Sequence, residues 1–253
     1  MKLKVEDLHF SYNGSEALSG IDLHLEGGSL VGLVGPNGSG KSTLLKNMDR
    51  ILHPGKGRII IDGKDLFSLK RREAARRIGY VPQSSVNLFP KTVFDTVLMG
   101  RIPHGSWAPV REDLEKVAGV LKEFGLEDLS DRDLNSLSGG QKQKVIIARA
   151  IAQEPDVLLL DEPTSSLDLS NQIDVMELIK KQTGKGILAV MAVHDLNLAL
   201  RYCDRFVLLK AGRVVAKGDS EALSQRVLED VYEIKARILG NGREKVLVPV
   251  SRR

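Results

Sequence analysis

Gly35-Pro36-Asn37-Gly38-Ser39-Gly40-Lys41-Ser42-Thr43 decides the fold of this 253-residue chain. A short apolar run, Ser29 to Val34, leads into it and reads as a buried strand; Lys41 to Ile51 reads as the helix leading away. A glycine-rich turn of the form G-x-x-x-x-G-K-[ST] in that setting is a phosphate-binding loop. Gly35, Gly38 and Gly40 let backbone amides turn inward around an anion, and the following helix points its positive end at the same place. Lys41 supplies a mobile charge for the β- and γ-phosphates of a nucleotide, and the Ser42 hydroxyl is suited to magnesium. A turn that merely joins strand to helix is the bland alternative, and the full match argues against it.

Further along, Val157-Leu158-Leu159-Leu160-Asp161-Glu162 is an apolar strand ending in two acids. Sheets of this kind bind ligands at the carboxyl ends of their strands. Asp161 is therefore a candidate magnesium ligand, and Glu162 is placed to polarise an attacking water as general base. Between these motifs lies a second glycine turn, Leu137-Ser138-Gly139-Gly140-Gln141. Ser138 is a fit helix N-cap, and Gly139-Gly140 bare the amides of a helix N-terminus. A capped helix alone would explain it. Its place between the other two motifs instead suggests a second phosphate-gripping surface, used by pairing two chains.

Outward from these motifs, residues 2–10 and 17–26 alternate like half-exposed strands, and Arg58 to Asp62 reads as a strand closed by an Asp62-Gly63 turn. Ile78 to Val81, Val157 to Leu160 and Ile187 to Val193 read as further strands. Helical spacing marks 92–100, 111–124, Ser138 to Ala152, Leu169 to Gln182 and Asp195 to Tyr202. Arg205 to Lys210 and Arg213 to Ala216 form a hairpin around Ala211-Gly212, and 219–239 is expected to be mostly helical. An α/β core (1–86 and 154–253) is thus interrupted by a mainly helical segment (87–153), giving one domain in two lobes.

Composition is ordinary for a globular protein: 42% hydrophobic, 28% charged, net charge +4. With 4% aromatic residues, base-stacking platforms for single-stranded nucleic acid are disfavoured. The mild positive charge permits an anionic membrane surface or nucleic acid but demands neither. With the motifs weighed in, no nucleic-acid partner is expected. One cysteine, Cys203, excludes an intramolecular disulfide and a cysteine zinc cluster, and reads as a small buried hydrophobe in a reducing compartment. The N-terminus does not read as a signal peptide, and no apolar run is long enough to span a bilayer. Any membrane crossing falls to a partner.

Together these motifs resemble the ATP-binding subunits of ABC transporters, over nearly the whole chain. The resemblance implies a RecA-like P-loop core with an N-terminal antiparallel β-subdomain and an inserted helical subdomain. It implies ATP and Mg2+ as ligands, with Gly35 to Thr43 (Gly35, Pro36, Asn37, Gly38, Ser39, Gly40, Lys41, Ser42, Thr43) on one copy and Ser138, Gly139, Gly140 and Gln141 on the other enclosing each nucleotide. It also gives roles to residues that are otherwise unremarkable. Tyr12 matches the aromatic that stacks on adenine. Gln83, after Tyr80-Val81-Pro82, matches the glutamine that contacts magnesium and the attacking water. Asp168 matches the loop crossing the dimer interface, and His194 the histidine at the γ-phosphate. Lys142, Lys144 and Ser166 are mild departures from the pattern.

The implied partners are a second copy, integral membrane permease subunits and, indirectly, a substrate-binding protein, at the cytoplasmic face of the membrane. Val97 to His104, Asn171-Gln172 and His194 to Ala199 resemble the ATPases of iron–siderophore, haem and vitamin B12 importers. Zinc and manganese importers share parts of these stretches and remain an alternative. A soluble ABC ATPase outside transport is a further one, though it should bring tandem cassettes or a long coiled coil. A P-loop kinase or GTPase would leave Leu137 to Gln141 and His194 idle.

Overall fold

The structure, a computed structural model, describes residues 1–83, 91–105, 108–240 and 245–252. Alternating polar and apolar residues pair β1 (Lys2–Tyr12) with β2 (Ser15–Glu26) as an antiparallel ribbon. The chain enters β3 (Leu30–Val34), all of whose residues are buried, and the glycine loop delivers it to α1 (Lys41–Met48). β4 (Lys56–Ile61) returns to pair with β1 and turns at Asp62-Gly63 into β5 (Lys64–Asp65). α2 (Arg71–Arg77) leads to β6 (Ile78–Val81). Among the described residues, the α-helices α3 (Val93–Leu98), α4 (Arg111–Glu123) and α5 (Gly139–Ala152) follow. The chain then alternates through β7 (Val157–Asp161), α6 (Leu169–Gly184), β8 (Leu188–Ala192), α7 (Leu196–Tyr202), β9 (Arg205–Lys210) and β10 (Arg213–Gly218). It closes with α8 (Gln225–Tyr232), β11 (Ile234–Leu239) and β12 (Val246–Arg252).

The central sheet has the order β10-β9-β3-β8-β7-β6, parallel except for β10. Helices or a second sheet cover both its faces, so its inner strands are continuous apolar runs rather than alternating ones. The strand period of two still sorts their side chains. Val31, Leu33, Val157, Leu159, Leu188 and Val190 pack with α1 and the antiparallel sheet β2-β1-β4-β5. Leu30, Leu158, Leu160, Ala189 and Met191 pack with α5, α6 and α7 on the other side. Because β3, β6, β7 and β8 are parallel, the glycine loop, Gln83, Asp161-Glu162 and His194 all follow strand ends at one edge of the sheet.

α3 packs on α4 and α5, and their apolar residues merge with the sheet-side core. The expected lobe boundary at 86/87 lies outside the described residues. Arg101, 5% exposed, donates to Asp113 at 2.9 Å and also to Glu154 and the Ala152 carbonyl at the end of α5. The Arg101 guanidinium, with the Val110 amide, holds the Asp113 carboxyl below its ordinary value. A depressed carboxyl contributes stability that is complete above its unfolded value of about 3.9 and is lost as pH falls through the folded one. Arg101→Ala, which leaves the buried Asp113 carboxylate with only the Val110 amide and takes a donor from the Ala152 carbonyl, is expected to cost about 3–5 kcal/mol by denaturant titration at pH 7. That deficit should shrink as the titration is repeated below pH 4.

Three expectations differ from the structure. Residues 234–239 are a strand, β11, paired with β12, where a helix was expected. The reason is legible: Ile234, Ala236 and Ile238 alternate with Lys235 and Arg237 at period two, and Glu233 at φ +57° stops α8. α1 ends at Met48, not Ile51, because Arg50 turns the chain at φ +59°. α2 was not anticipated; its basic sequence carries one buried residue, Ala74, and little periodicity.

Candidate active site

The glycine loop needs glycine at two points for steric reasons. At Gly35 (φ +151°) a Cβ would collide with the Leu209 carbonyl, and at Gly40 (φ +101°) it would lie 2.8 Å from Leu18 Cδ2 and 2.9 Å from the Ala17 carbonyl. The loop thus lies pressed between β2 and β9 and leaves its other side as a cleft of about 310 Å³. Tyr12, Asn37, Gly38, Gly40, Lys41, Ser42, Thr43 and Glu162 are among its lining residues. Lys41 Nζ donates to the carbonyls of Gly35 (2.8 Å) and Pro36 (3.1 Å). Burial lowers its pKa, against the opposing pull of Glu162 and Asp161. The Ser39 hydroxyl is buried with no partner among the described residues.

Opposite the loop, the end of β7 supplies the acids. Ser42 Oγ donates to Asp161 Oδ1 at 2.8 Å. Glu162 sits at φ +52°, uncommon for a non-glycine residue. This turn sets its carboxylate between two side chains: Gln83 Nε2 at 2.7 Å from Oε2 and His194 Nε2 at 2.5 Å from Oε1. Three sequence-selected residues, Gln83, Glu162 and His194, from three strand ends therefore meet at one carboxylate, beside the separate Ser42–Asp161 contact. Gln83 contacts Glu162 here rather than the Ser42–Asp161 pair. Tyr12, with 45% exposure, stands edge-on to Phe10 at the mouth of the cleft.

The second glycine turn stands apart. Ser138 and Gln141 form a reciprocal capping box on α5: the Gln141 amide donates to Ser138 Oγ (3.3 Å) and the Ser138 amide to Gln141 Oε1 (3.1 Å). Gly140 lies against the Asn171 side chain, so that a Cβ there would collide with it. Asn171 in turn donates to Asp168, the N-cap of α6. Ser138 to Gln141 and Asp168 thus share one surface, and none of them lines the Lys41 cleft.

Two neighbours escaped the sequence reading. The Tyr80 hydroxyl lies 3.4 Å from Asp161 Oδ2, and its pKa is raised by burial and by that carboxylate. Only the register of β6 beside β7 could have signalled it. Asn171 was quoted for family likeness alone, and its contact with Gly140 has no local signature.

A larger cleft, about 760 Å³, opens between α1, α2, β6 and the α3–α5 helices, lined by Asp49, Phe67, Tyr80, Met99, Ile102 and Arg149 among others. Asp49 accepts no side-chain hydrogen bond among the described residues, and burial pushes its carboxyl up to about 7. A raised carboxyl stabilises fully below its unfolded value and loses that contribution as pH rises through about 7. Asp49→Asn is therefore expected to melt above the wild type at pH 8, with the gap closing as pH is lowered toward 4. An unchanged gap would place the carboxylate in a solvated or paired setting.

Comparison with known proteins agrees with this geometry. A family model described as ABC transporter matches residues 18–165. The phosphonates import ATP-binding protein of Alcaligenes faecalis is 39% identical, over 91% of this chain and 87% of its own. The ferric enterobactin transport ATP-binding protein of Escherichia coli is 34% identical, over 99% of this chain and 95% of its own. A solved inward-facing conformation of a transporter described as metal-chelate type superimposes with a TM-score of 0.85 at 31% identity, covering 98% of this chain and 96% of that one.

Proposed function

The chain belongs to the ABC transporter family, as an ATP-binding subunit that couples ATP hydrolysis to transport, and we propose that it powers uptake of a metal chelate through a separate membrane permease. The observation that supports a shared site is this division: one chain carries a phosphate cleft and, elsewhere on its surface, a capped helix N-terminus at which Ser138 and Gly139 are exposed. Two copies set head to tail close each cleft of one with Ser138 to Gln141 of the other, and Asp168 lies at that seam. No described helix is long and apolar enough to cross a membrane. We place the protein at the cytoplasmic face, held there by the permease, and keep residues 87–153 as the moving helical lobe.

In this reading Lys41 and the loop amides hold the β- and γ-phosphates, and the partner's α5 N-terminus adds charge stabilisation. Tyr12 stacks on the base. Glu162 takes the proton of the attacking water, which Gln83 orients, while His194 donates to the γ-phosphate. The hydroxyl of Ser42 and the carboxylate of Asp161, already in contact, would hold magnesium as hard oxygen donors, with Gln83 as a further candidate. Magnesium, when bound, neutralises charge on those phosphates.

The metal-chelate reading rests on Val97 to His104, Asn171-Gln172 and His194 to Ala199, together with the chelate-type relative and structure. The phosphonate relative supports a second cargo class, and zinc or manganese a third. Reconstituted with its permease, ATPase activity should be stimulated by a binding protein loaded with ferric siderophore, haem or cobalamin. Stimulation confined to phosphonate or to free zinc or manganese would overturn the cargo. We assign the permease contact to the larger cleft, where Ile51, Met99 and Ile102 are exposed. Ile102→Glu should abolish co-purification with the permease and leave the isolated chain's ATPase rate unchanged.

A further inference from the structure

The stretch His194-Asp195-Leu196-Asn197 holds a residue that the mechanism above does not use. α7 is only two turns long, too short to hold its own geometry, and its first turn is only partly buried, with Leu196 and Leu198 half-buried and Asn197 exposed. Asp195 caps it, accepting from the amides of Asn197 (2.8 Å) and Leu198 (3.0 Å). Asn197 then reaches outward to β12. Its Oδ1 accepts from the Leu247 amide at 2.7 Å, and its Nδ2 donates to the Leu247 carbonyl at 3.3 Å. One amide side chain thereby takes both outward backbone groups of an edge-strand residue, as a third strand would. The Leu247 side chain is itself buried, so β12 is fixed to the core and offers a rigid anchor.

We propose that Asn197 is a positioning residue for His194: by fastening the first turn of α7 to β12 it holds the imidazole at Glu162. This rests on the reading of His194 as the γ-phosphate contact. The consequence is that the C-terminal hairpin, remote in sequence from every nucleotide motif, sets the geometry of hydrolysis rather than nucleotide affinity. Without the clamp, α7 and His194 gain freedom to drift, and a displacement near 1 Å is enough to slow an oriented reaction substantially.

Single-turnover ATP hydrolysis by the full chain tests this, with rates normalised to the stoichiometry of a bound non-hydrolysable ATP analogue. Asn197→Ala is expected to slow hydrolysis roughly tenfold with analogue affinity within about twofold of wild type. Asn197→Asp, which keeps the acceptor for the Leu247 amide but sets a carboxylate oxygen against the Leu247 carbonyl, should also be slowed with analogue affinity unchanged. Adding Asn197→Ala to His194→Ala should slow hydrolysis no further than His194→Ala alone. His194→Ala slow, with Asn197→Ala at the wild-type rate per bound site, overturns the proposal alone. So does a double variant slowed by the full product of the two single effects. His194→Ala at the wild-type rate overturns the reading of His194, and the proposal with it.

Discussion

Glu162→Gln is expected to bind ATP as the wild type does and to hydrolyse it roughly 10²–10⁴-fold more slowly, the range for losing a general base. The geometry makes this a clean substitution. Glu162 occupies a left-handed turn that aims its two oxygens at Gln83 and His194. A glutamine there keeps the shape of the side chain. Its carbonyl can accept from Gln83 Nε2, and its NH2 can donate to an unprotonated His194 nitrogen. No cavity is made and no partner is stranded, so the fold should tolerate it. What disappears is the capacity to take a proton from water. Stopped-flow phosphate release and equilibrium nucleotide binding separate the two effects. Turnover within threefold of wild type would move the general base elsewhere.

Lys41→Ala is expected to weaken ATP binding by about 10–100-fold and to leave no measurable turnover at cellular ATP. Hydrogen bonds to a charged group contribute about 1.5–3 kcal/mol each, and each 1.4 kcal/mol is a decade in affinity. Lys41 is 5% exposed and bonds two loop carbonyls, Gly35 and Pro36. Its ammonium therefore both braces the loop and stands ready for phosphate. Glu162 and Asp161 offset part of the burial that disfavours its charge. Arginine should not rescue it, since a planar fork cannot occupy a slot cut for a point charge. Calorimetric titration with ATP reads the loss directly, and wild-type affinity in Lys41→Ala would displace the lysine from the phosphates.

Much of this site was legible because its parts are local. The loop from Gly35 to Thr43 carries its own geometry in three glycines, and the strand ending at Asp161-Glu162 announces itself by unbroken apolar residues. Ser138 and Gln141 stand three apart, the spacing of a capping box. Gln83 and His194 carry no such local signal. Their assignment came from resemblance, and what unites them with Glu162 is the parallel order of β6, β7 and β8, which brings three strand ends to one edge. The C-terminal region was misread for a related reason. The alternation of Ile234, Ala236 and Ile238 was short, and its partner strand lies several residues on, so pairing rather than propensity decides it. Tyr80, Asn171 and Asn197 act through contacts across 81, 31 and 50 positions of sequence and could be found only in three dimensions.

The central claim is that a complete site needs two copies of the chain, and the mass of Glu162→Gln with and without ATP tests it most directly. Light scattering should give 27.8 kDa without nucleotide and twice that with ATP and magnesium. Ser138→Arg added to Glu162→Gln should still bind ATP and stay at 27.8 kDa, because the arginine crowds the helix end proposed to meet the partner's γ-phosphate. A Glu162→Gln protein saturated with ATP that remains a monomer would contradict the shared site, as would undiminished pairing by the Ser138→Arg variant.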